Sequence, residues 1–214
     1  MIIDIKTSKI IQSPFRFKGP SGYFDYFLIG GNPLRIIVKA TEVALKRNLK
    51  REVISAEIEA VLDFLSWFLD IPIRDYKIKD KRTFSNKVFS IPEEVLFGKK
   101  VNGEKYALIS AYREIQNEES LALRYLMYYR LLEVMSEKMG YGGHIDELIT
   151  DHKIKVQQVK NKKNPKKLLS LIRHIRNKIH ATKCSYKFPY EPLAGQEKHI
   201  KKITRIIISD FLQS

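Results

Sequence analysis

Two arginines and a histidine in one short stretch carry the residue types that phosphodiester chemistry requires. The stretch is LLSLIRHIRNKIHAT, from Leu168 to Thr182. A guanidinium is always charged and offers a rigid fork of N–H donors that fits phosphate oxygens. An imidazole titrates near neutrality, so it can take or give a proton under ordinary conditions. The spacing predicts a single helix over 168–182. At about 100° per residue, Leu168, Ile172, Ile175 and Ile179 share a face that reads as the core side. Leu169, Arg173, Arg176 and His180 form a second stripe about 100° round from the first, at the border between core and water. His174 and Asn177 point away from that stripe. Residues with this spacing are also common on purely solvated or salt-bridged helix faces.

The approach to this helix is strongly basic. Between His152 and Tyr190 the chain has no acidic residue, and Lys153, Lys155, Lys160, Lys162, Lys163, Lys166 and Lys167 precede the motif. Pro165 suits a first helical turn. A charge run is usually a solvated loop. One without counter-charge that leads into an Arg/His helix can also track a phosphate backbone. Lys160, Lys162, Lys163, Lys166, Lys167 and, within the helix, Lys178 are the candidate nucleic-acid contacts.

Composition bounds the reading. A chain of 214 residues supports one large domain or two small ones. Its net charge of +15 favours polyanionic partners, nucleic acid first. No apolar stretch is long enough to span a bilayer, because Lys39, Asp63, Asp70 and Pro72 interrupt the longest runs. The opening MIIDIKTSK lacks the apolar core of a secretory signal, so a cytoplasmic protein is expected. The single cysteine, Cys184, cannot form an intramolecular disulfide or a multi-cysteine metal site and suits a reducing compartment.

The elements that must position the motif fall into two regions, giving an α+β chain. Residues 1–102 are expected to form a mixed domain of strands with one long helix. Strands are predicted over 1–11, 23–29 and 34–40, with turns at Lys18–Gly22 and Gly30–Pro33. Arg51 to Leu69 has helical periodicity and stops before Pro72; Trp67 should anchor it on the sheet. Residues 76–91 alternate basic and aromatic side chains, as an edge strand protected by lysines would, and Ile91–Glu94 suits a short helical turn. A turn at Asn102–Gly103 marks the expected boundary. Residues 103–214 are expected to be all-helical, with segments over 106–116 and 120–139. Ser120 is a candidate N-cap, and Gly140–Gly143 a stop. The longer segment is apolar around most of its circumference, as a central bundle helix is. Tyr125, Tyr129 and Glu133 within it read either as core tyrosines with a buried acceptor, or as a device in which Glu133 orients an arginine or histidine of the motif. His144, Asp146, Glu147, Asp151 and His152 cluster in sequence, but Ile145, Leu148 and Ile149 set the buried face there, so no metal site is expected. A final amphipathic helix should pack Ile200, Ile203, Ile207 and Phe211 on the bundle or on a second subunit.

The Arg/His helix resembles the signature of the HEPN superfamily, in which an arginine, often followed by Asn, Asp or His, precedes a histidine by four to six residues. Arg173-His174 with His180 gives a gap of six; Arg176-Asn177 with His180 matches the Arg-Asn pair at a gap of three, and both readings stay open. The tyrosine-rich stretch Tyr128-Tyr-Arg-Leu-Leu-Glu133 is similar to a helix of the ApeA-like or methylamine-utilisation-type branch. The likeness covers about residues 106–214. It implies a helical HEPN-like domain and a metal-independent, cofactor-free endoribonuclease of a bacterial defence or toxin system. Arg173, Arg176, His180, Asn177 and Glu133 would be its site. RNA supplies its own nucleophile, the 2′-OH, so a proton carrier and a phosphate clamp suffice. The resemblance also implies a homodimer with facing motifs, 2′,3′-cyclic phosphate ends, and a possible antitoxin or defence partner protein. Two other readings are a non-catalytic module that binds RNA, a nucleotide or a partner protein, and an interaction subunit whose N-terminal sheet recognises a phage or host component.

Overall fold

A computed structural model of the chain describes residues 1–6, 15–31, 33–47, 49–79, 89–90, 103–160, 168–181 and 190–213. It is a mixed α+β structure whose residues fall into two compact units, Met1–Asn117 and Glu118–Ser214. The predicted features at 7–11, 80–88 and Ile91–Glu94, together with Pro165 and Cys184, lie outside the described residues.

The first unit is built on a six-stranded sheet. Its strands are β1 (Ile2–Ile5), β2 (Phe15–Lys18), β3 (Phe24–Ile29), β4 (Leu34–Ala40), β5 (Tyr76–Lys79) and β6 (Phe89–Ser90). The order is β5-β1-β4-β3-β2-β6, antiparallel except where β2 meets β6. Period-two alternation sends Phe15, Phe17, Tyr26, Leu28, Ile36 and Ile3 to the core face. The stretch 76–91, expected as one edge strand, is divided between the two edges: β5 lies at one, with Lys77, Ile78 and Lys79 exposed, and β6 at the other.

Helix α1 (Glu42–Arg47) follows β4, and α2 (Arg51–Leu69) spans the predicted range. The buried stripe of α2 includes Ile58, Val61, Leu62, Phe64 and Leu65. Phe68, beside Trp67, makes the ring contact with the sheet, 6.2 Å from Phe15. Helix α3 (Gly103–Asn117), read from sequence with the helical region, packs on α2 and belongs to this first unit. Its buried Arg113 donates to Asp63 Oδ1 and Glu59 Oε2, both at 2.8 Å, and to the Ile73 carbonyl. This buried ion group joins α2 and α3.

The second unit gathers α5 (Ile145–Asp151), α6 (Leu171–Ala181) and α7 (Tyr190–Gln213) around α4 (Leu121–Lys138). Ser120 caps α4, its hydroxyl accepting from the Leu123 amide. Gly140, with a left-handed φ of 87°, lets the chain turn away after it. In α7, Ile200, Ile203 and Ile207 are buried within the unit, whereas Phe211 is half-buried. Arg124 on α4 meets Glu197 on α7 at 3.2 Å. A two-stranded ribbon, β7 (Gln158–Lys160) with β8 (Leu168–Ser170), completes the unit. Among the described residues no helix is long and apolar enough to cross a membrane.

Candidate phosphate-binding and proton-transfer site

The motif helix starts three residues later than its periodicity predicts. Leu168–Ser170 is a strand, paired residue for residue with Lys160–Gln158. The Leu171 amide donates to the Gln157 carbonyl at 2.7 Å, and the Ser170 hydroxyl accepts from the Arg173 amide at 3.4 Å. This is N-cap chemistry: a serine just outside the helix satisfies an amide of the first turn that has no carbonyl partner in the helix. Leu168 and Leu169 therefore do not extend the two helical stripes, which begin at Leu171. The ribbon sets Lys160 opposite Leu168.

Within α6 the expected faces are present. Ile172, Ile175 and Ile179 are buried. Helical rotation places Arg173, Arg176 and His180 within an arc of about 60°, with Cα steps along the axis of about 4.5 and 6 Å. Arg176 lies nearest the apolar face and is half-buried; Arg173 and His180 are exposed.

Helix α4 supplies the groups beneath this stripe. The Tyr125 hydroxyl donates to the Ile172 carbonyl at 3.0 Å, tying the first turn of α6 to α4. One turn on, the guanidinium carbon of Arg176 stands 5.4 Å from the centre of the Tyr129 ring. Another turn on, Glu133 Oε1 lies 4.0 Å from Arg176 Nη2. Glu133 has a nearer partner in Arg130, at 2.9 Å. The remaining side-chain bond of Arg176 is donated to Asn177 Oδ1 at 3.2 Å. Burial raises the Tyr129 phenol above its usual range; the charges of Arg173 and Arg176 pull it down, while Glu133 and Asp146 push it up. Both arginines thus act on one tyrosine.

Of the sites proposed from sequence, Arg173, Arg176 and His180 share one exposed stripe, and Glu133 and Asn177 reach Arg176. Glu133 is engaged by arginines; among the described residues no contact joins it to His180. Lys160 and Lys178 are exposed, and Lys162, Lys163, Lys166 and Lys167 lie outside the described residues. Ser170 as a cap and Tyr129 as the surface under Arg176 were not assigned from sequence. A serine immediately before an apolar-periodic run was the available signal for the first. Two of the acidic and histidine residues in and beside α5 have side-chain partners. Asp151 accepts from Tyr141 at 2.7 Å, and His152 lies 2.8 Å from the Leu148 carbonyl and 3.5 Å from Asp210.

Chemically, the stripe offers two fixed cations for a phosphate and, next along the helix, an accessible imidazole for a proton. Comparison of the chain with family models, curated proteins and solved structures returns no match.

Proposed function

We propose that this chain is a metal-independent endoribonuclease of HEPN type, with the α6 stripe as its reaction centre. The observation that carries the reading is the exposure of Arg173 and His180 on either side of Arg176, whose head group rests on Tyr129 and faces Glu133. In this mechanism the arginines bind the scissile phosphate and stabilise the charge that grows on it as the 2′-OH attacks. His180 exchanges the proton of the 2′-OH or of the leaving 5′-oxygen, a contribution of about 10² to 10⁴ in rate. A single histidine cannot hold both proton roles at once. The proposal therefore includes a homodimer in which two α6 stripes face each other and each supplies one histidine. Lys160 and the lysines that follow it in the sequence would hold the flanking backbone. A bacterial defence or toxin setting and a cytoplasmic location complete the proposal.

A second reading is a non-catalytic module of the same type that binds RNA, a nucleotide or a partner protein. It is favoured by His180 itself, which has no hydrogen-bond partner among the described residues to fix its ring, as a catalytic base usually has. The discriminating experiment incubates a labelled RNA pool with the protein in excess EDTA and analyses the ends. The nuclease reading expects fragments with 2′,3′-cyclic phosphate termini. Retained but intact RNA supports the binding module instead.

A further inference from the structure

The sheet of the first unit has a second face, turned away from the side on which Phe15 meets Phe68 of α2. One register row crosses five strands on that face: Arg16 on β2, Phe27 on β3, Ile37 on β4, Ile2 on β1 and Lys79 on β5. The row is apolar in its middle, where Ile2 and Ile37 are buried, and cationic at both ends, where Arg16 and Lys79 are exposed. Alternation places Lys18, Lys39, Arg35 and Lys77 on the same face, making six cations in all against two carboxylates, Asp4 and Asp25. The carboxylate of Asp4 is neutralised in place. Arg35 and Lys79 donate to it at 2.8 and 2.7 Å and hold it below the usual carboxylate range, so it does not repel an anion from the face.

Phe27 is the aromatic side chain of this row. It is half-buried, and the heads of Arg16, which also donates to Asp25 Oδ2 at 3.2 Å, and Lys39 lie 5.3 and 4.9 Å from its ring centre. At the β5 end, a cleft of about 360 Å³ is bordered by Lys6, Lys77 and Lys79 and by the carboxylates of Asp4 and Asp75. Its size falls at the small end of ligand-sized pockets, roughly 300–1,000 Å³.

We infer that this face binds single-stranded RNA, with an unpaired base stacked on Phe27 and the adjoining phosphates held by Arg16, Lys39 and the lysines of β5. A half-buried aromatic ring flanked by exposed cations suits unpaired nucleotides, since each offers a flat base and a phosphate. A duplex hides its base faces and would leave Phe27 unused. The choice of RNA over DNA rests on the function proposed above; the stacking geometry does not.

The test is fluorescence anisotropy of the full-length protein with a labelled 2′-O-methyl oligouridine, which the proposed chemistry cannot cut. Phe27→Leu keeps the apolar bulk, removes the stacking surface and should weaken binding by about tenfold or more. Phe27→Trp should restore or exceed wild-type affinity, which also shows that the position tolerates change. Arg16→Gln and Lys39→Gln should each reduce the salt slope by about 0.7. Wild-type affinity in Phe27→Leu, with loss in Arg173→Gln, would overturn this inference and leave the nuclease reading standing. Absence of RNA binding by the wild type would overturn both. Tighter binding to the matching duplex than to the single strand would overturn the sheet assignment alone.

Discussion

Arg176 lies with its guanidinium carbon 5.4 Å from the ring centre of Tyr129, so one α6 arginine is braced from below by an α4 tyrosine. A cation on an aromatic face is worth about 0.5–1 kcal/mol at a partly exposed site. The 4.0 Å contact with Glu133 adds less than about 1 kcal/mol, because Arg130 competes for the same carboxylate at closer range. Orientation of Arg176 thus comes mainly from the ring. Tyr129→Phe should keep RNA cleavage within about threefold of wild type, whereas Tyr129→Leu should lower kcat by tenfold or more with a small change in KM, the signature of lost transition-state contact. Steady-state kinetics on a defined RNA checks this. Equal activity of the two variants would show that the ring does not position Arg176.

The buried ion group of the first unit makes a prediction about stability. Arg113 bridges Asp63 and Glu59, and Tyr76 donates to Glu59 from β5. That bond pushes the Tyr76 phenol up to about 12, helped by burial. Removing the guanidinium strands Asp63 in the interior, where burial already raises its carboxyl against the pull of Arg113. Arg113→Ala should cost about 3–5 kcal/mol, read as a lower urea midpoint. Replacing Arg113 and Asp63 together by apolar residues of similar volume should recover much of that loss.

Glu57 predicts a pH dependence. Its carboxyl is buried against the turn at Gly19, where an added Cβ would lie 2.1 Å from Oε1 and 2.6 Å from the Tyr26 ring. Burial raises its pKa above 4.5, opposed by bonding from Ser21. With the folded value above the unfolded one, the folded state keeps its proton longer. Stability is therefore full below pH 4.5 and declines as pH rises from there through the folded value. Glu57→Gln should be more stable than wild type at pH 7 and should flatten the curve above pH 4.5, as measured by urea unfolding across pH. Gly19→Ala should destabilise at every pH.

The proposed two-fold pairing of α6 stripes fixes the expected mass at twice the 25.0 kDa of the chain. Sedimentation should show that dimer, and specific RNA cleavage should fall on dilution as it dissociates. A monomer with full activity would remove the composite site.

The elements most legible in the sequence were those with uninterrupted periodicity and clear stops. Leu34–Ala40 and Arg51–Leu69 form over the predicted ranges, and Ser120 caps α4 as its position before an apolar run suggested. The start of α6 was not legible, because LLS continues the helical pattern of the residues after it. Only pairing with Gln158–Lys160, for which the sequence carries no local signal, makes it a strand. Helix α1, six residues long, was too short to show a period. Arg113 was likewise silent in the sequence, since nothing local tells a surface arginine from one that meets Asp63 fifty positions away. The Arg173, Arg176 and His180 stripe was legible because it follows from helix geometry alone; its brace on Tyr129 depends on how α4 and α6 pack.

The most direct test of the central claim compares wild type with His180→Ala in single-turnover cleavage of one RNA, in excess EDTA, with RNA affinity measured in parallel. The account predicts that His180→Ala loses at least about 10² in rate, binds RNA within about twofold of wild type, and retains its thermal midpoint, since His180 is exposed. Cleavage by His180→Ala at the wild-type rate, or none by either protein despite tight binding, would contradict it.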